Sequence, residues 1–179
     1  VAWNSKIDAG YVTLELSPPF ERIQSDLNAL NRDLDNFRTP LRESIKTVII
    51  PSIETNFQVG GRPQWVPLSP QTVERRSRQG TGTQTLVETG ALKRAATQQS
   101  RWSIEKDGAS ITNWPQREKR KADVHNFGAV SSSRRGRNKG STSVIPARPF
   151  LLIQDEDADR IDDVFLDWVE RRARAWWRR

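Results

Sequence analysis

The 179-residue chain contains no cysteine and no methionine, and it has one histidine and one tyrosine. Without cysteine there is no disulfide, no thiolate metal site and no cysteine nucleophile. With His125 as the sole imidazole, histidine dyads and multi-histidine metal sites are excluded as well. No run of about eighteen apolar residues exists, and the first residues lack the charged-then-apolar order of a secretory leader. The chain is therefore expected to be soluble and made in the cytoplasm; because it opens at Val1, an initiator methionine is expected to have been removed or to lie outside the sequence. Apolar residues are also scarce for a compact monomer, 35% against 28% charged, with a mean hydropathy of -0.74. Part of the fold is expected to complete itself against neighbours.

What the chain does have is positive charge. The net charge is +7 and the pI about 10.3. Between Arg117 and Arg148, nine basic residues (Arg117, Lys119, Arg120, Lys121, Arg134, Arg135, Arg137, Lys139 and Arg148) face two acids (Glu118 and Asp123), so this segment alone accounts for +7. Such a concentration is the footprint of contact with DNA or an acidic protein surface, or else of a solvated loop. Arg134, Arg135, Arg137 and Lys139 are the candidates for that contact. No aromatic is interleaved with them, so phosphate contact is the most they can offer. Ser131 to Ser143, rich in Ser, Gly, Arg and Lys, cannot bury enough surface to order itself and is expected to order on a partner.

The length suits one domain with its own core. Four parts are expected: an N-terminal strand and helical arm over 1–58, an extended loop over 59–88, an α+β core over 89–154 with a basic loop at 129–143, and a C-terminal helix and tail over 155–179. Tyr11 to Leu16 alternates apolar and polar residues, which predicts a strand after a loose N-terminus. Ser17-Pro18-Pro19 then offers a helix start. Phe20, Ile23, Leu27, Leu30, Leu34 and Phe37 recur every three or four positions, along one helix face that could line a core or a seam with another subunit. Thr39-Pro40 repeats the start signal, and Leu41, Ile45, Val48, Ile49, Ile53 and Phe57 extend a second helix that Pro51 should kink. The two helices are expected as an antiparallel pair or a bent arm. Ser69-Pro70 could start a short basic helix, and Ala91 to Ala96 another. Asp107-Gly108 predicts a hairpin between Arg101–Glu105 and Ser110–Trp114. Acids at Asp155, Glu156, Asp157 and Asp159 and arginines at Arg171, Arg172 and Arg174 predict one amphipathic helix from about Asp157 to Trp176, because those charges oppose the helix dipole favourably.

No catalytic pattern emerges. Ser132 and Ser133 have no base in a recognisable motif, and Gly80-x-Gly82 lacks the lysine of a phosphate loop. The acids at 155–159 lack the glycine of a calcium loop, and the helix dipole explains them. The reading is of a non-enzyme that needs no cofactor, no metal and no small-molecule substrate.

Four motifs remain. They are Trp65-Val66-Pro67-Leu68-Ser69-Pro70; Leu86-Val87-Glu88-Thr89-Gly90-Ala91-Leu92; His125-Asn126-Phe127-Gly128; and Ile145-Pro146-Ala147-Arg148-Pro149-Phe150-Leu151-Leu152. In the last, two prolines fix the backbone at two points, which makes a stiff segment aiming Phe150, Leu151 and Leu152. In this order the four motifs resemble the phage virion-morphogenesis family, the tail-completion or neck proteins of tailed bacteriophages, including Mu-like ones. The resemblance spans roughly Phe57 to Phe165, with departures at 131–143 and 170–179. It implies an α+β subunit that assembles into a homo-oligomeric ring, a hexamer against a six-fold tail tube, located at the virion neck after assembly in the host cytoplasm. The implied partners are the tail tube and head connector proteins, with DNA passing through the lumen. Expected subunit or partner contacts are Trp65, Leu68, His125, Phe127, Arg148, Phe150, Leu151, Trp168, Trp176 and Trp177. Trp176-Trp177 between arginines also suits an interfacial membrane sequence, but Trp and Arg are equally the residues of interface hot spots, which is the reading preferred here. The alternative function is a basic DNA-binding accessory protein.

Overall fold

A computed structural model describes residues 2–8, 11–17, 20–132 and 142–177. The fold is α+β, with a helical arm, short antiparallel hairpins and a long C-terminal helix. The expected loose N-terminus is instead a strand: β1 (Ala2–Asp8) pairs antiparallel with β2 (Tyr11–Ser17). Of the expected helix start at Ser17-Pro18-Pro19, both prolines lie outside the described residues. Helix α1 (Phe20–Leu34) ends short of Phe37, which sits in the turn before α2 (Arg38–Ser44). Thr39 is not the cap of α2. The helix starts at Arg38, whose N–H donates to Asn36 Oδ1 at 3.2 Å, and Pro40 is buried in its first turn.

Pro51 does not break the next helix. It has no N–H to give to the carbonyl four residues back, so the chain widens into a π turn over Ile45–Ile49, where the Ile50 N–H reaches the Ile45 carbonyl, and α3 (Ile50–Val59) continues through the proline. Gly60, at φ 83°, closes α3. The N–H groups of Gly60 and Gly61 both donate to the Asn56 carbonyl, at 3.1 and 2.8 Å. Ile45, Val48, Ile53 and Phe57 are buried, so the second half of the expected arm is the centre of the core.

The segment 59–88, expected as an extended loop, contains α4 (Pro70–Arg78). Its N-cap is Ser69, whose hydroxyl accepts from Thr72 N–H at 3.3 Å, with Pro70 in the first position. Then α5 (Ala91–Thr97) lays Leu92, Ala95 and Ala96 against α3. Strands β3 (Trp102–Ile104) and β4 (Ala109–Ile111) form the expected hairpin, shorter than predicted, with Trp102 opposite Ile111. A helix that the sequence reading did not anticipate, α6 (Gln116–Phe127), follows. Half of its residues are charged and Ala122 is its buried one, so it carries almost no apolar periodicity. The segment 129–143 is not wholly a loop, because β5 (Ala129–Ser132) pairs with β6 (Thr142–Ile145); two H-bonded strands satisfy each other's backbone without needing buried side chains. Helix α7 (Asp155–Trp177) ends the chain.

The core gathers Ile53, Phe57, Trp65, Leu86, Leu92, Ala96, Ala122 and Phe150, with Ile49, Trp102, Trp114 and Leu151 packed on it. Burying one such large side chain stabilises by about 1.5–3 kcal/mol. A second contact centre pins α7: Phe37 meets Phe165 and Trp168 with ring centroids 5.6 and 5.9 Å apart. The α1–α2 corner is held to the β3–β4 hairpin by Phe37 N–H on the Lys106 carbonyl at 2.9 Å and by the Lys106–Asp35 ion pair.

Candidate functional site

The four motifs fold into one knot. The Trp65 indole N–H donates to the Pro149 carbonyl at 3.1 Å, and the Phe57 ring lies 5.7 Å from Trp65 and 5.4 Å from Phe150. Arg148 donates from Nε to the Val66 carbonyl at 2.8 Å and from Nη2 to the Pro67 carbonyl at 3.1 Å. Its backbone N–H meets the His125 carbonyl at 2.6 Å. Asn126 Oδ1 accepts from the N–H groups of both Phe150 and Leu151, each at 3.2 Å, and Asn56 Nδ2 donates to the Phe150 carbonyl at 3.3 Å. Two glycines make the close approaches possible. A Cβ at Gly61 would lie 2.4 Å from the Trp65 indole, and one at Gly128, where φ is 77°, would crowd the Ala147 nitrogen and Ile145 carbonyl at 3.1 Å.

Beside the knot, Arg62 stitches α3 to the start of α7. It donates to Asn56 Oδ1 at 2.9 Å and Ser52 Oγ at 2.6 Å, and it pairs with Glu156 at 2.7 Å. Ser52 Oγ in turn donates to the buried Asp157 carboxylate. That carboxylate also accepts from the Gln154 N–H at 3.2 Å, which is the backward bond of a capping box. Glu156 and Asp157 at the head of α7 therefore serve the cap and this network.

Charge in the knot is one-signed. Burial lowers the Arg148 pKa, and the nearby Arg76 lowers it further. Burial also lowers the His125 pKa below 6.5, with the charges of Arg148, Lys121 and Arg76 adding to it. His125 Nδ1 is buried without a hydrogen-bond partner. His125, Arg76 and Lys121 line a cavity of about 50 Å³, at the limit of one or two waters. That is too small for a substrate, and the surroundings of the imidazole disfavour its charged form.

These placements correct several of the expected contacts. Trp65, Arg148, Phe150 and Trp168 are buried inside their own subunit, with Phe150 at 0% exposure, so no neighbour can touch these side chains while the subunit is folded. The prolines aim Phe150 inward because its backbone is clamped by Asn126 and Asn56. Leu68, Leu151 and His125 are half-buried. Phe127 is 78% exposed, the one expected contact residue among those named so far that is open to a partner. The side chains of Trp176 and Trp177 and the residues Arg134, Arg135, Arg137 and Lys139 lie outside what is described. Among the described residues, no helix is long and apolar enough to cross a membrane.

Sequence reasoning missed Asn56, Arg62 and the pair Val130 and Val144, and it placed Asn126 in a motif without giving it a role. Val130 stands directly opposite Val144 in the β5–β6 register, and both are about 70% exposed. With Phe127 they put three large apolar side chains in water around the end of α6. A signal existed for Asn56: it sits between Ile53 and Phe57 at core spacing, where a polar residue has to be hydrogen-bonded.

The model of the phage virion morphogenesis family matches residues 19–170. The Mu-like prophage FluMu G protein 2 of Haemophilus influenzae is 34% identical over 128 residues, which cover 71% of this chain and 75% of that protein. No solved structure matches.

Proposed function

Because the chain belongs to the phage virion morphogenesis family, and so takes part in building a phage virion, we propose that its copies form a closed ring at the phage neck that completes the tail and joins it to the head connector. The ring is a hexamer stacked on a six-fold tail tube, built by heterologous contacts between subunits. The observation that carries this reading is the division of labour in the subunit. The family-bearing motifs send Trp65, Arg148 and Phe150 into an internal knot, while Phe127 of the third motif, with Val130 and Val144, is left bare on the surface. Exposed large apolar groups clustered together mark a protein contact. The exposed basic residues of α6, Arg117, Lys119 and Arg120, suit DNA in the lumen or an acidic partner.

Two measurements test it. Negative-stain images of the purified protein should show rings with a central hole. In cells, phage lacking this gene and complemented with Val130→Glu/Val144→Glu should accumulate separate heads and tails, while the purified variant unfolds at the wild-type urea concentration. Normal yields of joined particles from that variant would count against the reading.

A further inference from the structure

The cavity of about 50 Å³ beside the knot gathers features that the ring reading leaves unused. It lies where the second and third motifs meet, between α4, the segment 86–92 and α6. Among the described residues, five buried side-chain polar atoms lack a hydrogen-bond partner, and two of them, Arg76 Nε and His125 Nδ1, belong to residues of its wall. Such atoms are rare in folded proteins and mark a water, an ion or a strained site. Leu86, also in the wall, is the one non-glycine residue with a positive φ, 60°, among the described residues. Conformations of that kind collect at binding sites.

Charge decides what suits the cavity. The Arg76 side chain is 11% exposed, and the carbonyls of Gly82 and Gln84 hold its Nη1 at 3.1 Å each, so the guanidinium is fixed in place. Lys121 comes to the cavity from α6 and has no ion-pair partner among the described residues. Arg148 acts on His125 from the far side, and Arg94 of α5 donates to the carbonyl of the wall residue Thr89 at 3.2 Å. Glu88 is the one acid in the wall, and Arg75 and Arg76 already share it at 3.6 and 3.8 Å. Five cations (Arg75, Arg76, Arg94, Lys121 and Arg148) thus stand against one carboxylate. Such a place repels a cation and offers an oxyanion N–H donors that nothing else takes.

We propose that this cavity binds a phosphate group, with Arg76 Nε–H and the Lys121 ammonium as donors and the His125 imidazole as a third once it takes up a proton. The space of one or two waters admits the oxygens of one tetrahedral anion and no attached base or sugar. Two sources carry that chemistry, the free anion and the backbone of duplex DNA. Arg117, Lys119 and Arg120, exposed on the same helix, would meet further phosphates of a backbone. The site goes beyond the ring reading and does not rest on it, because each subunit holds it complete.

The test reads His125 directly. It is the sole histidine, so its ring signals in an NMR spectrum of the full chain report this site alone. A bound anion offsets the cations that oppose its protonation. Replacing chloride by inorganic phosphate at equal ionic strength should therefore raise the pH at which His125 titrates by about one unit. Lys121→Gln should lose this response, whereas Lys119→Gln, which removes the same charge from the exposed side of α6, should keep it. A short DNA duplex used in place of phosphate separates the sources. A rise that depends on Lys121 assigns the cavity to the DNA backbone, and a response to inorganic phosphate alone assigns it to the free anion. The proposal is overturned if neither probe moves His125 or if Lys121→Gln responds as the wild type does. A response to acetate as large as that to phosphate also overturns it, and gives the cavity to a carboxylate of a protein partner. Should Lys121→Gln misfold by circular dichroism, the wild-type comparison of phosphate with acetate decides alone.

Discussion

Asn126 and Arg148 show how single side chains hold this subunit. One amide oxygen takes two successive backbone N–H groups, and one guanidinium takes two carbonyls, so a stiff proline-bound segment is fixed at both its ends. Phe150 is the product of that fixing. Truncating such a buried ring to alanine costs about 3–5 kcal/mol through the cavity it leaves, so assembly defects in a Phe150 variant report lost folding and not a lost contact. His125 adds a pH dependence whose sign is set by its neighbours. Arg148, Lys121 and Arg76 all oppose its protonation, and burial does so more. Its folded pKa is below the unfolded value of 6.5, so the unfolded chain takes up the proton first. The stabilisation is complete above that value and is lost as pH falls through the folded pKa. The urea midpoint of the wild-type protein should therefore drop below pH 6.5 relative to that of His125→Gln. A parallel pH course for both proteins would remove His125 from the account.

At the scale of elements, α7 is held twice, by Phe37 against its middle and by Arg62 at its head. Removing Arg62 leaves Ser52, Asn56 and the buried Asp157 short of a charged donor. Arg62→Met should cost about 1.5–3 kcal/mol, the range for hydrogen bonds to charged groups. Hydrogen exchange should show the first turn of α7 opening before its middle; uniform opening of the helix would mean that Phe37 and Trp168 do not act independently of Arg62. Helix α7 was legible because its charges are sorted by sign along the chain, and α3 because apolar residues recur at helical spacing. Helix α6 was not legible. A surface helix with one buried alanine has no periodicity to read, and it is held by the knot at its far end. The same reason explains the site. Single residues such as Trp65 and Arg148 stood out by type, but whether they face inward depends on carbonyls more than 80 positions away in the chain, at Pro149, Val66 and Pro67.

For the whole molecule, the uneven charge matters more than its total. In the proposed ring, a segment before Arg38 of −3 (3 basic and 6 acidic residues) and a remainder of +10 (26 basic and 16 acidic) attract between copies and speed their encounter at low salt. Raising salt from about 0.1 M to 1 M shortens the screening length from about 10 to 3 Å. Assembly followed by light scattering should therefore slow markedly with salt while its end point changes little. An unchanged rate would mean that this uneven charge does not guide the encounter. The knot also makes the molecule modular. His125 bonds Arg148, and Gly128 lies against Ala147, so the chain leaves the core and returns to it at one fixed doorway. Lengthening a span whose ends are already held costs only about 0.6 kcal/mol per doubling. Residues inserted between the ends of β5 and β6 should thus leave the urea midpoint of the subunit nearly unchanged.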